Sequence, residues 1–326
     1  MRQVGCRAGA WRGVAPPGIP CTVLASMNGW VLPERYRGTP LLVFSSFLFA
    51  VMALCTRLLA GRLSPGQVAS GRFLIGLVFL AVYYPILGRR PRYGRLSLWV
   101  LRGILGGAAV YLYFVAIDRM TVGPAVLLNA CWPIHAALIG WLFLRERVTG
   151  PLLAGLALTT LGAGLVMWSS MGGGASLELG LGVWAGMGSA VLGGAAVVVV
   201  RALRHDTDSA TVFLSFCLFG LLFSLPFAVQ DWRPLGWDVA LPLLGVGLTS
   251  VVAQMTFTYA FGYVTAAAGG VATQLTPAFS WVMGAVLLGE AVSPLAVTGA
   301  LVCVGGVLWG TGVAGRLLAP ASRPAA

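Results

Sequence analysis

Few side chains in these 326 residues could do chemistry, and most of those lie inside apolar runs. Pro133 and Pro277 each interrupt such a run, at positions 144 apart. Proline inside a helix leaves the carbonyl four residues earlier without its donor. The carbonyls so freed belong to Asn129 and Thr273, again at equivalent positions. In hydrocarbon such a group is costly unless protein, water or a solute satisfies it. Polar and amphipathic residues share these helix faces. Asn129 and Trp132 are three apart, Thr273, Thr276 and Ser280 sit at i, i+3 and i+7, and Gln274 and Trp281 form the neighbouring stripe. The pattern predicts a central, partly polar cavity between the two interrupted runs. Two alternatives stay open: the hydroxyls can bond back to their own helix, and Asn129 and Gln274 can bond across helices with no solute between.

Arg72 and Arg102 also lie inside apolar runs, with no arginine at the equivalent positions 216 and 246. An arginine at the bilayer centre costs ~2.5–3.5 kcal/mol on insertion scales, so it normally faces a cavity or a partner. Each could bind an anionic group of a solute, snorkel to the interface, or pair with backbone carbonyls. His135, two residues past Pro133, is a titratable group that could couple protons, or a packing residue. Tyr113, Gln254 and Tyr259 complete the candidate solute-binding set, with helix packing as their alternative role. Glu146 and Glu290 end the interrupted runs, and each is expected to tie the turn that follows rather than to catalyse anything.

These residues are positioned by a duplicated unit. Residues 113–168 and 257–312 align without a gap, placing Pro133 on Pro277, Gly140 on Gly284, Glu146 on Glu290, Gly155 on Gly299 and Gly162 on Gly306. A period near half the chain indicates one structural unit used twice. The chain is 58% hydrophobic and 9% charged, against roughly 25% charged in a soluble domain, which places it in the membrane class. Ten runs are long enough to cross a bilayer as helices: 39–60, 66–87, 96–117, 121–143, 149–169, 179–200, 210–229, 239–261, 264–288 and 293–315. The fold expected is an all-α integral membrane protein. Residues 1–38 read as a disordered cytoplasmic tail, with Met27 a second candidate start. Two five-helix units follow at 39–170 and 177–316, then a tail at 317–326.

The basic excess is arginine alone and sits in short gaps between runs, so it reports orientation and not nucleic-acid binding. The count puts both termini in the cytoplasm. Five runs per unit is odd, so the two units must insert upside down relative to each other. The six cysteines show no CxxC and no metal-ligand spacing, and neither metal nor cofactor is expected.

Together these segments resemble the EamA-type branch of the drug/metabolite transporter superfamily. The marks are Arg72 within SPGQVASGRFLIGLVFL, the YFVAID segment from Tyr113 to Asp118, and Pro133 followed by LFLRERVTGPLLAGLALTTLGAGLVM. The second copy is TQLTPAFSWVMGAVLLGEAVSPLAVTGALVCVGG, and the resemblance spans residue 39 to about 315. It implies ten helices in two inverted five-helix repeats and alternating access around a central cavity. Family solutes range over amino acids, nucleosides, polyamines, cofactors and drugs. The chain departs in having Arg57 near the end of the first run, where many relatives carry lysine.

The function expected is secondary active transport, as an exporter, of a small metabolite such as an amino acid across the cytoplasmic membrane. Its partners would be that solute, the lipid bilayer, protons as candidate coupling ion, and at most a second copy in a homodimer. An intramembrane enzyme would need a Ser–His pair, a metal cluster or paired carboxylates, which the runs lack. A scaffold or receptor would have no reason to keep paired breaks in both halves.

Overall fold

The computed structural model describes residues 34–59, 61–119, 128–170, 180–288 and 293–311. Regular structure among them is helical. In chain order the helices are α1 (Glu34–Leu59), α2 (Pro65–Ile86), α3 (Leu96–Arg119), α4 (Trp132–Leu144), α5 (Gly150–Ser170), α6 (Leu181–Leu203), α7 (Ser209–Gln230), α8 (Trp237–Ala260), α9 (Ala266–Thr273), α10 (Leu275–Leu288) and α11 (Pro294–Gly310). Six of them, α1–α3 and α6–α8, are long and apolar enough to cross a membrane. Large apolar side chains such as Phe143 and Val286 face outward, as a surface solvated by lipid requires. The protein is a multi-pass helical membrane protein.

Local chemistry sets the helix starts. Ser64 caps α2 in a capping box with Gln67, and Asp208 caps α7 by accepting from Thr211 N at 3.0 Å. These caps lie 144 positions apart, so the duplication extends to helices whose own residues have diverged.

The two halves meet through equivalent helices. A Cβ on Gly76 of α2 would strike Cys217 of α7, while one on Gly220 would strike Phe73, which exchanges the same two positions between the halves. The pattern recurs in α5 and α11, where Gly155 lies on Gly306 and Gly310, and Gly162 on Gly299 and Cys303. Contacts descend one helix as they ascend the other, so both pairs run antiparallel. Cys303 Sγ, bonded to Thr159 O at 3.2 Å, joins two equivalent positions. The remaining helices follow suit, with α3 packed on α6 as α8 is packed on α1.

Glycine permits this approach. A Cβ on Gly162 would sit 2.6 Å from Cys303 N and from Gly299 O, both backbone atoms. Overpacking by even a methylene costs ~1–3 kcal/mol, and here only separation of the helices relieves it. Gly162→Ala is expected to lower the melting temperature in detergent by several degrees, and Gly162→Leu to eliminate the folded fraction on size exclusion. Gly305→Ala is the control, because nothing lies within 4 Å of its Cβ position.

One expectation needs correction. The run 264–288 is not a single kinked helix but two, α9 and α10, separated at Gln274. In the first half, Ala130 and Cys131 form a turn before α4 begins. Residues 121–127 of that run lie outside the described residues. Pro133 and Pro277 therefore fall in the first turn of a new helix, where the missing N–H has no intrahelical partner to lose.

Candidate functional site

The two breaks are bonded to each other. Gln274, 2% exposed, donates from Nε2 to Ala130 O at 2.9 Å, and Ala130 is its own equivalent in the first half. The Thr273 carbonyl expected to be free accepts from Thr276 Oγ1 at 2.9 Å. Thr273 Oγ1 in turn bonds back to Gly269 O and Gly270 O. Asn129 Nδ2 donates to Ser189 Oγ at 2.8 Å, and that hydroxyl donates to Ala109 O at 2.7 Å. The Thr273 hydroxyl thus bonds within its own helix and that of Thr276 spans the break between α9 and α10, while Asn129 and Gln274 bond across helices. Trp132 is half-buried with its ring 6.3 Å from that of Phe257. His135 Nδ1 lies 3.2 Å from Cys131 O, one turn back on its own chain. Trp281 is half-buried on α10, Pro133 and Pro277 are buried, and Pro133 packs on Gly270.

Arg72 and Arg102 come together elsewhere, among α2, α3, α7 and α8. Arg72 Nε donates to Ser250 Oγ at 2.6 Å. Gln254, 5% exposed, lies one turn further along α8 from Ser250. Tyr113 is half-buried with its ring against Phe114.

A third region opens at the end of the bundle that carries the 87–95 and 204–208 loops. A cavity of about 400 Å³ there is lined by Leu41, Tyr83, Arg89, Arg204, Asp208, Met255 and Tyr259 among others. A second, of about 510 Å³, shares Tyr83, Arg89 and Asp208 and adds Arg90 and Arg92. Shared walls make them one basic vestibule. Tyr259 is 44% exposed, and its hydroxyl lies 2.6 Å from that of Tyr263. The Arg204 guanidinium sits 5.7 Å from the Tyr259 ring centre. Burial pushes the Arg204 guanidinium below its ordinary pKa, and Asp208 opposes that shift. Helix α8 is the common wall of all three regions, through Ser250, Gln254, Phe257 and Tyr259.

The opposite end is tied across its loops. Gln67 Nε2 donates to Arg233 O at 2.8 Å and Gln67 Oε1 accepts from Arg233 N at 3.2 Å. Arg62 pairs with Asp238 at 3.5 Å. At the vestibule end Asp206, the equivalent of Arg62, pairs at 3.0 Å with Arg95, one position past the equivalent of Asp238, so a similar tie is made there with the charges exchanged.

Glu146 does not tie its own turn. Its Oε1 pairs with Arg201 Nε at 3.3 Å, and its Oε2 accepts from Ala266 N at 2.9 Å, at the start of α9 in the other half. Arg201 Nη1 also reaches Phe261 O and Gly262 O. Glu290 lies outside the described residues.

Phe216, Ser250, Ser189 and Arg201 were not singled out by sequence reasoning. Ser250 had a signal, since Ser250, Gln254 and Thr258 recur at i, i+4 and i+8 in an apolar run. Arg201 was counted only for orientation.

The sequence pattern of the EamA-like transporter family matches residues 37–168 and again 180–311. The pseudopaline exporter of Pseudomonas aeruginosa is 23% identical over 278 residues, covering 84% of this chain and 95% of that one. A probable terminal-alkyne amino-acid exporter of Streptantibioticus cattleyicolor is 28% identical over 247 residues, covering 73% and 80%. A solved crystal structure superposes with a TM-score of 0.74 at 22% identity, covering 86% of this chain and 99% of that one.

Proposed function

We propose, from the premise that the chain belongs to the EamA-like transporter family, that it exports a small metabolite such as an amino acid by secondary active, alternating-access transport. The carrying observation is the pair of helix breaks at equivalent positions, bonded to each other through Gln274 and Ala130. Broken helices at matching places in two halves are how transporters build a solute site within the membrane. A non-transporting scaffold has no use for them.

The inverted relation of the halves is supported by the antiparallel crossing of equivalent helices, α2 on α7 and α5 on α11. Under that relation the vestibule end and the opposite end are equivalent between the halves, so opening one and closing the other is a rocking motion. The arginines of the vestibule loops make that end cytoplasmic by the positive-inside rule, with both termini on the same side and the vestibule open inward. An amino-acid-like solute is supported by the similarity to the probable terminal-alkyne amino-acid exporter. Without a nucleotide-binding loop in the sequence, a solute or proton gradient supplies the energy, and His135 is the candidate titrating group.

The test is efflux and uptake in proteoliposomes, using amino acids, nucleosides, polyamines and cofactors, with solutes read by mass spectrometry. Selective flux of amino acids or close relatives is expected, and an unchanged pH profile in His135→Gln would remove that residue from coupling. No flux of any solute through folded protein would overturn the transport reading.

A further inference from the structure

Two guanidinium groups share one aromatic ring inside the helix bundle. The Arg102 Cζ lies 4.4 Å from the centre of Phe216, and the Arg72 Cζ 5.5 Å from it. Arg72 is 8% exposed and Arg102 4%. Two like charges at that depth repel and are poorly hydrated, so such groups ordinarily hold a counter-charge. Here the contacts are neutral. Arg72 has the Ser250 hydroxyl and the Phe73 ring at 5.7 Å. Among the described residues neither arginine forms an ion pair. Arg102 Nε is sealed from solvent and has no hydrogen-bond partner.

Snorkelling does not account for this arrangement. The Arg102 head is turned inward, with its terminal nitrogen against Gly106 of its own helix. Nor does Arg72 spend its Nε on a backbone carbonyl. The site therefore has two positive charges, an aromatic floor, and an unused donor on a planar fork. Such a fork matches a carboxylate in bidentate fashion. A monoanion also fits better than a phosphate, because the desolvation cost rises steeply with charge. On α8, Gln254 and Thr258 continue the stripe from Ser250 toward the vestibule, and Thr258 Oγ1 is likewise buried without a partner.

We propose that Arg72 and Arg102, stacked on Phe216, form a carboxylate-binding subsite on the solute's path, so that the solutes carried are anions or zwitterions. This rests on the transport reading above, but binding tests it separately. The probes are 3-phenylpropionate with 3-phenylpropionamide, and L-phenylalanine with L-phenylalaninamide. Binding is read by thermal shift of the purified full chain in detergent, and flux in proteoliposomes. The acids should bind roughly tenfold or more tightly than the amides. Arg102→Gln should abolish that preference and Arg102→Lys restore part of it. Gly106→Ala, which sets a methyl where the Arg102 head lies, should weaken acid binding with the charge intact. It also serves if Arg102→Gln does not fold.

Equal binding of acids and amides, no binding of either acid, or an acid preference kept in both Arg102→Gln and Gly106→Ala overturns the subsite. Acid binding lost in these variants, without flux of any solute in the wild type, upholds the subsite and overturns the transport reading. Flux of the amides alone overturns the subsite and upholds transport.

Discussion

Glu146→Ala is expected to cost roughly 3 kcal/mol of stability, near the lower end of what removing one partner of a buried ion pair costs. The side chains of Arg201 and Glu146 are only 19% and 12% exposed, so solvent screening recovers little. Without the carboxylate, Arg201 keeps two neutral acceptors, Phe261 O and Gly262 O, which holds the loss below the upper range. The Ala266 N–H also loses its acceptor at the start of α9, although Thr265 still caps that helix through Ala268 N. Glu146→Gln, which can still accept from Ala266 N, should cost about half as much. Adding Arg201→Gln to it should recover stability, since the uncompensated charge is then gone. Thermal melts of the four proteins in detergent measure this. Melting of Glu146→Ala within a degree of the wild type would mean that the pair does not hold the halves together.

The role of Glu146 was the least legible part of the chain. Its type and place at the end of α4 indicated a structural carboxylate, but its partners lie 55 and 120 residues away. Local chemistry offered two adjacent arginines, Arg145 and Arg147, and neither is the one used. Membrane-crossing elements were far easier to read, because bilayer thickness imposes their length. The run 96–117 is α3 (Leu96–Arg119), and 179–200 is α6 (Leu181–Leu203). Sequence alone allows the prolines either a kink or a new helix start, and the turn at Gln274 favours the second. The hydroxyls of Thr273 and Thr276 bond to nearby carbonyls of the same run, and the amides of Asn129 and Gln274 bond across helices. Arg72 and Arg102 were visible as misplaced charges. Their common floor, Phe216, was one of many phenylalanines in apolar runs, and only packing distinguishes it.

Gln274→Leu is expected to be nearly as damaging to stability and more informative about the motion. The substitution keeps the volume but leaves Ala130 O without the Nε2 donor at 2.9 Å. Losing a buried hydrogen bond in this way costs about 1–3 kcal/mol, and the cost rises where no water can replace the partner. Because Ala130 and Gln274 are equivalent positions, this bond would cross the two-fold relation proposed between the halves. The relation is imperfect at this point, since Ala130 has no amide to return. Under the proposed alternating access, a rocked state in which the halves exchange roles could not form the mirror bond, so Gln274 would favour the arrangement described above. Gln274→Leu should lower the melting temperature and shift the balance of influx against efflux in proteoliposomes. The exchange Ala130→Gln with Gln274→Ala rebuilds the bond from the other half, and should restore stability while biasing flux in the opposite direction. An exchanged protein no more stable than Gln274→Leu, with the wild-type flux balance, would show that this bond is packing and takes no part in the alternation.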